Sequence, residues 1–101
     1  MEEARPFEGK GALVTGGAKR LGHEIASALA RAGASLVIHY NTSAGPAEAF
    51  CQALEAAGTK AVPIQANLDD PDEAEHLFGR AWDALDGIDL LVNNASIFPK
   101  G

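Results

Sequence analysis

The sequence predicts an α/β fold, the first half of a doubly wound parallel sheet, on three observations. Short β-branched or apolar runs alternate with stretches in which apolar and small residues recur every three to four positions. The connections between them are short and carry Gly, Asn, Ser or Asp. The resulting order, β-α-β-α-β-α-β, calls for parallel strands joined by right-handed crossover helices that cover both faces of the sheet. With 101 residues, 47% of them apolar and 22% charged, the chain fits one compact unit.

The first strand is Gly11–Thr15 (GALVT), an apolar run that ends at the turn glycines Gly16 and Gly17. A helix of about three turns follows from Leu21, with Leu21, Ile25, Ala28, Leu29 and Ala32 as its apolar stripe and Gly33 closing it. Ser35–Tyr40 (SLVIHY) is too short and too β-branched for a helix and is the second strand. Ser43 caps a second helix running to residue 57, with Ala47, Phe50, Cys51 and Leu54 inward and Gly58 beyond its end. Ala61–Gln65 (AVPIQ) is the third strand, in which Pro63 removes a ladder donor and so marks a strand end or an unpaired position. Asp70 caps the third helix, Pro71 suits its first turn, and Asp72, Glu73 and Glu75 suit the positive end of its dipole. That helix runs to about Leu85; Phe78, Trp82 and Leu85 read as its core-facing side and its acidic residues as a solvated face. Gly87 ends it, and residues 88–92 (IDLLV) form a fourth strand that opens into Asn93, Asn94, Ala95 and Ser96.

Charge and composition exclude several classes. Eight Lys and Arg against 14 Asp and Glu give a net charge of −6, which lacks the positive field of a nucleic-acid binder. No apolar run approaches the ~20 residues of a bilayer span, and the charged start MEEARPFEGK is unlike a signal peptide, so a cytoplasmic location and no membrane partner are expected. Cys51, the single cysteine, reads as a small core residue; one cysteine and three scattered histidines give no metal-ligand spacing.

The chemistry concentrates in Thr15-Gly16-Gly17-Ala18-Lys19-Arg20-Leu21-Gly22, between the first strand and the first helix. Glycines there let backbone N–H groups and a helix N-terminus approach a pyrophosphate. Lys19 and Arg20 put positive charge at the helix's positive end, an arrangement that makes sense opposite an anion. Taken alone, the same residues also describe a plain glycine turn with two solvated basic side chains. Two adjacent amides directly after a buried strand, Asn93 and Asn94, seldom serve packing and can tie their loop to neighbouring backbone.

Together these two segments resemble the short-chain dehydrogenase/reductase family, whose pattern is T-G-x-x-x-G-x-G followed, after the fourth strand, by N-N-A-G. Arg20 replaces the middle glycine and Ser96 the last one; with His39-Tyr40 and Phe98, these departures look like the pteridine reductase branch. The resemblance extends from Lys10 to Pro99. It implies a Rossmann-type domain, of which residues 1–101 are the amino-terminal portion, and a nicotinamide dinucleotide held by Gly16, Lys19, Arg20, Leu21 and Gly22. In dinucleotide folds an acidic residue after the second strand holds the ribose of NAD. Here His39, Tyr40, Asn41, Thr42 and Ser43 offer no carboxylate, which points to NADPH. Thr42 stands where pteridine reductases commonly carry a basic residue, leaving Asn41, Ser43 and Lys19 for the 2′-phosphate. His39 and Tyr40 read equally well as a strand end packed under the second helix.

By the same resemblance Asn67-Leu68, where the family has Asp-Leu, contact adenine, and Asn94, Ala95 and Ser96 reach the cofactor ribose. Asn67 is explained almost as well by a turn leading into the third helix. Phe98 would stack on a pterin lying against the nicotinamide, with Ser96 and Arg20 bonding its polar edge. Without the family pattern, Phe98 is a loop anchor. The family reduces its substrate with a tyrosine and a lysine four residues later; Tyr40, the single tyrosine, is followed at that spacing by Ala44, so no catalytic residue is assigned in this chain. Strand 4 or strand 1 would then present an unpaired edge. Two readings follow. Either the remainder of the enzyme, in a longer product or as a second chain, completes the sheet of an NADPH-dependent reductase, commonly a homotetramer in this family; or the chain is a free-standing nucleotide-binding module that self-associates through the edge. A carbonyl reductase of the 3-oxoacyl thioester type is the alternative substrate class.

Overall fold

The computed structural model describes residues 5–94. In chain order the elements are β1 (Gly11–Thr15), α1 (Arg20–Arg31), β2 (Ser35–Tyr40), α2 (Ala44–Ala56), β3 (Ala61–Gln65), α3 (Pro71–Leu85) and β4 (Leu90–Asn93). The strands form one parallel sheet in the order β3-β2-β1-β4, with Leu13 opposite Val37 and Leu91, and His39 opposite Ile64. This is the Rossmann-type half-fold that the sequence predicts. Alternation along β1 and β2 sorts the core into two layers. Ala12, Val14, Leu36 and Ile38 pack with Ala26 and Ala30 of α1 and with Ala47, Phe50, Cys51 and Leu54 of α2. On the opposite face Leu13, Val37 and Ile64 meet Leu77 and Ala81 of α3.

The α1 stripe is displaced from the predicted one. Gly22, Ala26 and Ala30 face the sheet, whereas Leu21 is 62% exposed and Ala28 is also exposed. Both sets share the same helical spacing, but the small residues take the sheet-facing positions, Leu21 turns outward and Ile25 is left half-buried. Leu29 still packs at the margin of the core. α1 stops as predicted, at Ala32, where Gly33 takes φ +103° and lets Ala34 N–H reach back to the Leu29 carbonyl at 3.0 Å.

A similar shift corrects α3. Phe78 and Trp82 are 43% and 49% exposed, lying tilted against each other with ring centroids 6.0 Å apart, while Leu77 and Ala81 take the buried positions and Leu85 flanks them. The predicted face was thus about one residue out of phase. The α3 cap is as predicted: Asp70 Oδ1 accepts from Asp72 N–H at 2.9 Å and Pro71 opens the helix. Ser43 occupies the corresponding position before α2, yet its side chain makes no capping hydrogen bond.

Pro63 lies in the middle of β3, and β3 is an edge strand. The Lys60 carbonyl and the Ala66 N–H bond β2, so alternation puts the ring of Pro63 on the outward side, where Ala61 N–H already turns to the Glu55 carboxylate at 3.1 Å. β4 begins two residues later than predicted, because Asp89 bonds Gly11 first, through its own N–H at 2.8 Å and through its carboxylate at 2.9 Å. Of the two candidates for an unpaired apolar edge, β4 is the one among the described residues: β1 lies between β2 and β4, and Leu91 is 58% exposed. Among the described residues no helix is long and apolar enough to cross a membrane.

Candidate functional site

The carboxyl ends of β1, β2, β3 and β4 bring together the segments that the sequence singles out. The chain reverses its direction of travel across the sheet between β1 and β4, since β2 and β3 lie on one side of β1 and β4 on the other. In open α/β sheets that reversal opens the crevice where ligands sit.

The glycine loop in this crevice is held from three sides. From just beyond β4, Asn94 donates its side-chain N–H to the Gly16 carbonyl at 3.1 Å and its backbone N–H to Thr15 Oγ1 at 2.9 Å. Thr15 Oγ1 in turn lies 3.3 Å from both the Val92 carbonyl and Asn93 Oδ1. From β2, the His39 carbonyl accepts from Gly17 N–H at 3.1 Å, and the ring Nδ1 accepts from Gly16 N–H at 3.0 Å. From just beyond β3, the Ala66 carbonyl lies 2.9 Å from His39 Nε2. A carbonyl can only accept and an amide N–H can only donate, so this ring carries its proton on Nε2 and leaves Nδ1 bare. His39 is 3% exposed, and burial lowers its pKa below the ordinary value, opposed by the hydrogen bond to Ala66.

Two residues of the turn are shaped by its close quarters. A Cβ at Gly22 would meet the Gly16 carbonyl and come within 2.6 Å of Asn94 Nδ2, so only glycine fits at that point of α1. Arg20 adopts φ +53°, the left-handed region, at the position where the family pattern has its middle glycine. An L-residue there costs about 1 kcal/mol. Lys19, Arg20 and Leu21 are all exposed. The first turn of α1 has no acidic residue and no side-chain cap from Lys19, so the helix itself places no anion at its positive end.

The other predicted positions divide. Tyr40 is half-buried and packs against the core under α1 and α2. Asn41 is exposed and accepts from Gln65 Nε2 through its carbonyl and its Oδ1, both at 3.2 Å. Ser43 sits before α2, half-buried. Asn67 forms a local turn, accepting from Asp69 N–H at 3.0 Å and donating its own N–H to Glu73 at 2.8 Å. Leu68 packs against the α3-side core. Ala95, Ser96 and Phe98 lie outside the described residues. Cys51 is buried, and burial together with the nearby Glu55 charge pushes its thiol up to about 11, which leaves it protonated and unreactive. No group of three or more His, Cys, Asp or Glu among the described residues could hold a metal ion.

Sequence reasoning missed the parts played by Thr15, Gly17 and Ala66. Thr15 was visible as the residue before the glycines. Gly17, whose added Cβ would lie 3.1 Å from Val14, reads in sequence as just another turn glycine. Ala66 contributes only a carbonyl, which leaves no trace in residue type.

A parallel sheet with a glycine loop at its switch point, packed against a helix N-terminus, defines a dinucleotide-binding type of α/β domain. The family model for short chain dehydrogenases matches residues 10–101, and the chain belongs to that family. It is 37% identical over 93 residues to a trihydroxynaphthalene reductase of Colletotrichum orbiculare, covering 92% of this chain and 33% of the relative. A short-chain dehydrogenase from Burkholderia cenocepacia, solved in complex with NADP, superposes with a TM-score of 0.87 at 44% identity, over 94% of this chain and 39% of that one. FolM alternative dihydrofolate reductase 1 from Brucella canis, complexed with NADP, gives a TM-score of 0.81 at 40% identity, over 89% of this chain and 36% of that one. The chain thus spans roughly a third of the length of the curated relatives it matches.

Proposed function

We propose that this chain is the amino-terminal, dinucleotide-binding portion of a single Rossmann-type domain in an NADPH-dependent short-chain reductase. The observation that carries the reading is the glycine loop, tied down by Asn94 and His39 beside a helix N-terminus that has basic residues and no acidic one. A helix N-terminus with basic side chains beside it suits a pyrophosphate. NADPH, when bound, supplies the hydride. The chain's own residues bind and orient: Gly16, Lys19, Arg20, Leu21 and Gly22 cradle the phosphates, Asn67 and Leu68 border the adenine, and Asn94, Ala95 and Ser96 take the ribose next to the nicotinamide. The end of β2 carries no carboxylate, which leaves Asn41, Ser43 and Lys19 for a 2′-phosphate and supports NADPH over NADH. The NADP complexes among the related structures support the same choice. We place the rest of the sheet, with the proton-donating residues, beside the exposed edge of β4, where Leu91, Phe78 and Trp82 offer apolar surface. Assembly into a homotetramer belongs to the same proposal.

For the substrate we favour a dihydropterin, stacked by Phe98 and bonded by Ser96 and Arg20. The left-handed Arg20 in the glycine position supports it, as does the likeness to a dihydrofolate reductase at 40% identity. A carbonyl substrate is the second reading, favoured by the hydroxynaphthalene reductase relative. The test is fluorescence titration of the full protein with NADPH and NADH, followed by NADPH oxidation with dihydropterins and with 3-oxoacyl thioesters. Tighter NADPH binding and turnover of dihydropterins alone are expected. Turnover confined to the thioester moves the assignment to the carbonyl class, and failure to bind either dinucleotide refutes the reading.

A further inference from the structure

We propose that His39 is a positioning residue for the dinucleotide: its neutral imidazole, with the proton on Nε2, is the strut that holds the glycine loop in its binding form. The inference rests on the dinucleotide reading above and refines it, because His39 does not present its ring to a ligand. Both ring nitrogens are spent within the protein, Nδ1 on Gly16 N–H at 3.0 Å and Nε2 on the Ala66 carbonyl at 2.9 Å, and the ring is 3% exposed. The His39 carbonyl takes Gly17 N–H as well. Consecutive amides of the loop are therefore oriented by one residue of the neighbouring strand, and the ring bridges the loop to the end of β3.

The arrangement tolerates one protonation state. A second proton on the ring would sit on Nδ1 and face Gly16 N–H, donor against donor, and the loop would have to move away. Burial already disfavours that proton. The ionisable groups on the elements around the ring are Tyr40 next along β2; Lys19 and Arg20 in the loop; Asp69 and Asp70 in the β3–α3 connection; and Glu73, His76 and Arg80 of α3, which line a cleft with Ala66. The downward shift of the ring comes from burial, and the Ala66 hydrogen bond opposes it. Dinucleotide affinity should accordingly depend on His39 staying neutral, while the groups that carry out the reduction lie elsewhere.

The experiment measures Kd for NADH and NADPH in the full protein between pH 5 and 8, for the natural sequence, for His39→Asn and for His39→Leu. NADH is included because it has no 2′-phosphate of its own to titrate. In the natural protein, affinity should weaken on acidification by up to about tenfold per pH unit once the ring titrates. His39→Asn places an amide oxygen near the position of Nδ1 and cannot titrate; it should keep affinity within a few-fold at pH 8 and lose the acid limb. His39→Leu should weaken binding by about tenfold or more throughout and raise the KM for the dinucleotide rather than lower kcat. Ring nitrogen NMR shifts give a ligand-free reading, with the Nε2–H form expected and Gly16 N–H exchange slowed. Equal acid limbs in the natural protein and His39→Asn, or an Nδ1–H ring, would overturn the strut. Absence of binding of both dinucleotides by the natural protein at pH 8 would instead sink the dinucleotide reading and the strut's purpose with it.

Discussion

Replacing Gly22 with Ala tests whether the glycine loop is held as tightly as its hydrogen bonds imply. Gly22 lies inside α1 with no positive φ, so alanine suits its backbone and by propensity alone would stabilise the helix by about 1 kcal/mol. Space is the obstacle. The added methyl would meet the Gly16 carbonyl and stand 2.6 Å from Asn94 Nδ2, and neither can withdraw cheaply. Gly16 is pinned at its N–H by His39 and at its carbonyl by Asn94. Pushing them apart costs about 1–3 kcal/mol of overpacking, and the lost Asn94 hydrogen bond adds about 1 kcal/mol. After the propensity gain, a net destabilisation of about 1–3 kcal/mol is expected. Gly79→Ala is the internal control: it is also helical, its added methyl meets nothing within 4 Å, and it should stabilise by about 0.5–1 kcal/mol. Urea unfolding followed by circular dichroism gives both values, and NADPH titration should show at least a tenfold loss for Gly22→Ala and none for Gly79→Ala. If Gly22→Ala proves as stable as Gly79→Ala and binds unchanged, the loop is not clamped by Asn94 and the argument from its geometry fails.

Three further outcomes are expected. Arg20→Gly relieves the left-handed backbone at φ +53° and should leave stability unchanged or raise it by up to about 1 kcal/mol, while weakening dihydropterin binding more than NADPH binding; equal losses in ligand titrations would remove Arg20 from the substrate site. Asp70→Ala deletes the cap on Asp72 N–H and should cost about 1 kcal/mol in urea unfolding, a value near zero showing that the bond is idle. Stability should also fall in acid through His39, whose folded pKa lies below an unfolded value near 6.5. Between the two values the unfolded chain binds more protons, so this contribution is complete above about pH 6.5. It declines as pH drops toward the folded value, by at most about 1.4 kcal/mol per pH unit. His39→Asn should flatten that part of the profile, and an identical slope in both proteins would mean that the buried ring does not resist protonation.

Much of this fold could be read from residue order because its signals are local. The apolar runs of β1, β2 and β3 have the bounds expected of them, and Asp70-Pro71 and Gly33 mark helix ends by side-chain chemistry and backbone freedom. Which face of a helix turns inward was less legible. In α1 both the Leu21-Ile25 and the Gly22-Ala26-Ala30 stripes repeat at helical spacing, and the choice is made by how near the sheet lies, a property of the assembled layers. Phe78 and Trp82 misled for a related reason: large aromatics suggest a core, yet Leu77 and Ala81 take the sheet-facing positions. Of the candidate site, the glycine loop and Asn94 were visible as residue types in a pattern. The work of His39 was not, because it depends on which backbone groups surround the ring once β1, β2 and β3 are side by side.

The glycine turn is the most local motif in the sequence and also the part whose shape is least locally determined. Its fixing partners are Asn94, 78 positions from Gly16, and His39, 23 positions away. Glycines make the turn possible without selecting it, since their backbone freedom admits many others. Selection falls to the two outer contacts, which exist only after β4 has crossed over to the far side of β1 and β2 has paired on the near side. A binding loop built this way is preorganised by the sheet itself, and a ligand that uses it need not meet the cost of ordering it. The same dependence makes the loop sensitive to changes at a distance. Loosening β4 from β1, for instance by removing the Asp89 carboxylate that accepts from Gly11 N–H, should reach the phosphate-binding turn through Asn94 without touching a single residue of the turn.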